Sequence, residues 1–165
     1  MDNNKETPTI DELDFTDIIN ANNRETKIND NIQKAIDEIP ETFTSVNMLY
    51  IPAIIDGVEL KLFVDTGAQI SIMPLEKAFN LGLEDLIDYN HQGMVHGVGK
   101  QEIFGKIHFL ELQLNDFLMG CSFTVIPDHE DIILGLDMLI AHGMKVDLEK
   151  RCLILSNIEI PFCEK

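Results

Sequence analysis

A carboxylate, a hydroxyl and a glycine stand together at Asp65-Thr66-Gly67, at the end of the apolar run Leu60-Lys61-Leu62-Phe63-Val64. A strand that delivers an Asp side chain to the floor of a cleft sets up hydrolysis in which a carboxylate takes a proton from water. That chemistry needs two carboxylates sharing one proton, the ionised one acting as base and the protonated one polarising the carbonyl under attack. The motif occurs once in 165 residues. The second carboxylate therefore has to come from another copy of the chain, and catalysis by Asp65 requires a homodimer.

The tripeptide alone is common by chance, so its setting decides the matter. Leu62-Phe63-Val64 reads as strand, Gly67 permits the sharp turn that lifts the carboxylate out of the sheet, and Thr66, Gly67 and Ala68 complete the loop. A second element, Ile132-Ile133-Leu134-Gly135-Leu136-Asp137, is an apolar strand running into a glycine and a helix. Threaded beside the Asp65 loop, its Ile133, Leu134 and Gly135 would support that loop from below. A third element runs from His91 to Ile107 and carries Gly93, Gly97, Gly99 and Gly105. Glycine at this density weakens a packed strand and eases large backbone excursions, which suits a flap over a cleft. Met94, Val95, His96, Gly97, Val98 and Gly99 are its candidate substrate contacts.

Other chemistries fit less well. Gly97-Val98-Gly99 has Glu102 where a dinucleotide fingerprint needs a third glycine, and Gly99-Lys100 is followed by Gln101, not the Ser or Thr of a phosphate-binding loop. The five histidines, His91, His96, His108, His129 and His142, share no metal-ligand spacing, so neither a metal nor another cofactor is expected. Cys121 has no partnered histidine in a recognisable context.

The elements that must position these residues fall into two textures. Residues 1 to about 45 are rich in Asn, Asp, Glu and Thr and read as a helical segment in two parts. The first starts at a Thr9/Glu12 capping box and includes Leu13, Ile18 and Ile19. In the second, Ile28, Ile32, Ala35, Ile36 and Ile39 share a 3.6-residue stripe that Pro40 stops. From Val46 the pattern is β-like. Met48–Ile55 and Val58–Val64 form a hairpin across Asp56-Gly57. Ile70–Met73 is a short strand, and Leu75–Leu81 a short helix with Pro74 at its first position and Gly82 after it. Ile107, Phe109, Glu111 and Gln113 alternate with His108, Leu110, Leu112 and Leu114, before Asn115-Asp116 turns the chain into Leu118–Ile126. Leu136–His142 is a last short helix closed by Gly143, and Lys145–Leu148 with Cys152–Leu155 a final hairpin. The expected divisions are a helical segment at 1–45, a β domain at 46–156, and a tail or edge strand at 157–165.

Composition is that of a globular chain, 45% hydrophobic and 25% charged, with a net charge of -17 that would double in a dimer. Such a field repels phosphate backbones and anionic lipid, so neither nucleic acid nor a membrane is an expected partner. No apolar run reaches the length of a bilayer span. Three cysteines, Cys121, Cys152 and Cys163, without C-x-x-C spacing, and a polar start from Met1 to Thr9, point to the cytosol or nucleus.

Phe63-Val64-Asp65-Thr66-Gly67-Ala68-Gln69, Gly97-Val98-Gly99 and Leu134-Gly135-Leu136-Asp137-Met138-Leu139 together resemble the retroviral-protease-like domain of the DNA-damage-inducible shuttle proteins. The similarity runs from Ile32 to Leu155, including Pro40-Glu41-Thr42-Phe43 and Met48-Leu49-Tyr50-Ile51, about three quarters of the chain. The resemblance implies a mainly β, retropepsin-like acid protease barrel with two short helices, preceded by part of a helical domain. It implies a homodimeric aspartic endopeptidase with Asp65 catalytic, acting on extended or unfolded, ubiquitin-tagged proteins near the proteasome. Family members usually carry ubiquitin-like and ubiquitin-associated domains as well; with neither pattern in these residues, the expectation is an excised or pared-down member. The alternatives are a non-catalytic dimerisation or peptide-binding module of the same pathway, and a helical adaptor with the β domain as scaffold.

Overall fold

The computed structural model describes the backbone of residues 15–91, 93–97 and 99–165, and the side chains of 19–91 and 102–165. The chain divides into two units, Met1–Val46 and Asn47–Lys165.

In the first unit, α1 (Phe15–Glu38) is one continuous helix followed by a 3-10 turn at Pro40–Phe43. The two helical parts read from the sequence are thus joined through Asn20–Arg24, because the outer face of an exposed helix needs no apolar residue to continue. The Thr9/Glu12 cap lies outside the described residues. Ile28, Ile32 and Ile36 keep their common stripe and are 43–48% exposed.

The second unit is built on a seven-stranded sheet. β1 (Tyr50–Ile55) and β2 (Val58–Val64) pair antiparallel across Asp56-Gly57, whose φ angles of 48° and 78° are those of a tight hairpin turn. β3 (Ile72–Pro74) leads into α2 (Leu75–Asn80), so Pro74 ends a strand as well as introducing the helix. β4 (Ile87–Asp88) is followed by a 3-10 turn at Tyr89–His91 and by the hairpin of β5 (Gly93–Gly97) and β6 (Gly99–Ile103). β7 (Gly105–Leu114) and β8 (Phe117–Ile126) form the longest pair. β9 (Ile132–Leu134) precedes α3 (Leu136–Ala141). The order across the sheet is β1-β2-β9-β3-β8-β7-β4, and a pairing of Ile54 with Gln113 joins β1 to β7, closing the sheet towards a barrel.

Alternating inward residues fill this barrel. Ile51, Ile55, Leu62, Leu112, Leu114, Met119 and Phe123 are at most 1% exposed. The alternation read along β7 is broken, however. Between Ile107 and Leu110 the strand advances three residues while β8 advances two, from Phe123 to Cys121. This bulge inserts one extra residue, so Ile107 and Leu110 both point inward while His108 and Phe109 are both exposed. Period-two reading had placed Phe109 with Ile107, and it cannot see a bulge.

A separate three-stranded sheet, β10 (Lys145–Asp147), β11 (Cys152–Leu155) and β12 (Ile158–Pro161), completes the unit, so residues 157–165 contribute a paired edge strand. The last residues are tied back to β1, to β2 and to the residue before β9. The Cys163 N–H donates to Tyr50 O at 2.8 Å, Lys61 Nζ donates to Glu164 O at 2.6 Å, and Lys165 pairs with Asp131 at 3.0 Å. The Tyr50 hydroxyl donates to Asp131 at 3.0 Å; its burial, then this bond, hold its ionisation above the ordinary range.

Candidate active site

Asp65 follows β2 directly, and β9 runs parallel beside β2 with Phe63 opposite Ile133 and Val64 opposite Leu134. The Asp65 N–H donates to Leu134 O at 3.1 Å, which continues the ladder one residue past the strand and fixes where the side chain leaves it. The loop then turns on itself. Ala68 N–H reaches Asp65 O at 3.3 Å, and Gly67 N–H donates to Asp65 Oδ1 at 2.8 Å, fixing the carboxylate plane. A Cβ at Gly67 would stand 3.1 Å from that oxygen, so glycine allows the close approach. Asp65 is half-buried and Thr66 and Gly67 are exposed.

The supporting loop meets this one from below. Leu136 N–H donates to Ala68 O at 2.8 Å and Asp137 N–H to Gln69 O at 3.2 Å. The backbones come so close at Gly135 that a Cβ there would lie 2.6 Å from Ile70 O. Ile133 packs with Ile72 and Ile126 in a small cluster against which Phe63, Ala68 and Ile70 rest. Ile133, Leu134 and Gly135 are therefore brought to the Asp65 loop.

Two members of this assembly were missed by sequence reasoning. Ser71 is fully buried, and its hydroxyl donates to Asp137 Oδ1 at 2.7 Å while accepting from the Gly135 N–H at 2.9 Å. Its own N–H donates to Asp137 Oδ2 at 3.0 Å. Asp137 Oδ1 also takes the Met138 N–H at 2.8 Å at the start of α3. One buried hydroxyl and one carboxylate thus lock the Asp65 loop, the β9 end and α3 into a single piece. Nothing in Gly135-Leu136-Asp137 marks the carboxylate's buried partner, 66 residues earlier.

The flap candidates are placed in part. The backbone pairs Met94 with Glu102, Val95 with Gln101, His96 with Lys100 and Gly97 with Gly99, a two-stranded hairpin. Val98, and the side chains of Met94, Val95 and His96, lie outside the described residues. Beside the hairpin, the fold gathers residues whose spacing showed no relation: Asp88, His91 and His108 come together at its base. Hydrogen bonds from His108, from the Asn90 backbone and from His91 hold the Asp88 carboxyl well below the usual carboxylate range. Two cavities, of about 510 and 410 Å³, lie along β1 and β2, and neither is lined by Asp65.

A sequence model of the aspartyl protease family matches residues 40–147. DNA damage-inducible protein 1 of Phaeosphaeria nodorum is 41% identical over 140 residues, which are 84% of this chain and 32% of that protein. The DDI1 homolog of Leishmania major is 41% identical over 157 residues, 93% of this chain and 40% of that one. The UBA domain-containing protein Mud1 of Schizosaccharomyces pombe is 38% identical over 161 residues, covering 94% and 48%. The chain spans about a third to a half of the length of these relatives. Among solved structures, the retroviral protease-like domain of Ddi1 from Leishmania major superposes with a TM-score of 0.67 at 44% identity, covering 72% of this chain and 96% of that domain.

Proposed function

The chain belongs to the aspartyl protease family, in its retropepsin-like DNA-damage-inducible branch, and on that premise we propose that it is an endopeptidase whose active site is completed by a second copy of itself. The observation that carries the reading is the Asp65 loop: a carboxylate held by the Gly67 N–H at 2.8 Å, at the exposed end of a parallel strand pair. Half an active site in one chain is what a shared dyad requires.

Two Asp65 carboxylates about 3 Å apart hold one proton between them. The ionised member removes a proton from a water lying between the two, and the protonated member donates to the carbonyl oxygen of the scissile peptide. Water attacks directly, a tetrahedral diol forms and collapses, and the amine leaves with a proton from the dyad. The exposed Thr66 hydroxyl supports this arrangement by reaching the partner loop. The β5–β6 hairpin supplies backbone donors and acceptors for an extended peptide, which favours flexible or unfolded substrates. Ubiquitin-tagged proteins and action near the proteasome, in the cytosol or nucleus, extend the same reading; a relative carrying a UBA domain gives it support.

Incubation of an unfolded, ubiquitin-tagged protein with wild type and Asp65→Asn tests the assignment. Wild type should cleave, and the variant should remain dimeric by sedimentation without cleaving. Turnover retained by the variant refutes the assignment, and absent turnover in a wild-type dimer favours a peptide-binding module.

A further inference from the structure

Away from Asp65, three metal-ligating side chains converge at the root of the β5–β6 hairpin. Asp88 ends β4, His91 closes the 3-10 turn leading to β5, and His108 projects from the β7 bulge. A single oxygen, Asp88 Oδ2, lies 2.8 Å from His91 Nδ1 and 2.8 Å from His108 Nε2. The three ligand atoms lie within 4.8 Å of one another. The other oxygen, Oδ1, accepts from the Asn90 backbone N–H at 2.9 Å and from its side-chain amide at 3.0 Å. That outer contact fixes the carboxylate so that Oδ2 faces both rings, the way supporting hydrogen bonds aim metal ligands.

We infer that Asp88, His91 and His108 form a binding site for a divalent transition-metal ion of the Zn²⁺ class. Two imidazole nitrogens and one carboxylate oxygen suit Zn²⁺, Co²⁺ or Ni²⁺, whereas Mg²⁺ and Ca²⁺ require oxygen ligands throughout. Tetrahedral bonds of about 2.0–2.2 Å place ligand atoms roughly 3.3 Å apart. The two 2.8 Å separations from Asp88 need to open by about 0.5 Å, the two ring nitrogens lie within 4.8 Å of each other, and both histidine side chains are 53% exposed. Binding requires the near nitrogen of each ring, Nδ1 of His91 and Nε2 of His108, to be free of a proton: any proton there moves through solvent to the ring's far nitrogen, and the near lone pair goes to the ion. A fourth position stays open to water. Because His91 precedes the hairpin and His108 follows it, the bound ion ties its two stems together.

Calorimetric titration of Zn²⁺ into the full chain should show one ion per chain, and His91→Ala and His108→Ala should each weaken binding at least tenfold. Co²⁺ should give visible bands without thiolate charge transfer, and ring ¹⁵N signals of wild type should move for His91 and His108 while His129 and His142 stay put. No binding, binding unchanged in the variants, thiolate bands, or shifts at His129 or His142 instead would overturn the site. The site does not depend on the peptidase reading: Asp65→Asn should bind Zn²⁺ as wild type does, whatever becomes of its turnover.

Discussion

Ser71 carries more of the candidate site's architecture than its size suggests. It is a buried polar residue hydrogen-bonded both to the Gly135 N–H after β9 and to Asp137 in the first turn of α3. Ser71→Ala leaves the Gly135 N–H and an Asp137 oxygen without that partner inside the protein. We expect a loss of about 1–3 kcal/mol, read as a lower denaturant midpoint. Two glycines make a sharper contrast. At Gly135 a Cβ meets backbone, Ile70 O at 2.6 Å, whereas at Gly120 it meets the ring edge of Phe109 at 2.5 Å, a side chain 67% exposed and able to swing away. Gly135→Ala should cost at least about 2 kcal/mol and Gly120→Ala under about 1 kcal/mol, measured by thermal unfolding of the two variants side by side. Cys121 sets an alkaline limit. Burial, then the nearby Asp137 charge, push its thiol up to about 12, so the folded state favours the neutral form. This contribution is complete below the unfolded thiol value near 9 and is lost as pH rises from there towards 12. Denaturant midpoints should fall above about pH 9, and Cys121→Val should soften that fall.

At the scale of elements, what the sequence made legible was local chemistry. The Asp56-Gly57 hairpin, the helix ended by Gly82 at φ 69° and the helix ended by Gly143 at φ 59° were all marked by residues that permit the turn. The Asp65 loop and its Ile133-Leu134-Gly135 support were legible for the same reason, since strand, carboxylate and glycine sit in consecutive positions. The β7 bulge was not, because nothing in His108-Phe109 distinguishes an inserted residue from a continued strand. Its consequence, a histidine turned towards Asp88, was invisible too: His108 and Asp88 are 20 residues apart and meet only through β4–β7 pairing. The polar residues between the two stripes of α1 concealed its continuity. None of the buried core residues precedes Tyr50 among the described residues. Removing residues 1–46 should therefore leave the β unit with a cooperative thermal transition within a few degrees of the full chain's, and a broad, non-cooperative melt would contradict that assignment of the core.

For the whole molecule, the proposed function turns on symmetry. On the proposed reading, a chain that supplies one Asp65, with Thr66 exposed beside it, completes its active site only as a dimer. A net charge of -17 per chain opposes association at low ionic strength, so moderate salt should favour both dimer and turnover. The most direct test mixes wild-type chains with increasing shares of Asp65→Asn at constant total concentration and lets subunits exchange before peptide cleavage is measured. A shared dyad predicts activity falling as the square of the wild-type fraction, because a mixed dimer holds a single competent carboxylate. Activity falling in direct proportion to the wild-type fraction would mean that each chain works alone, and would contradict the account.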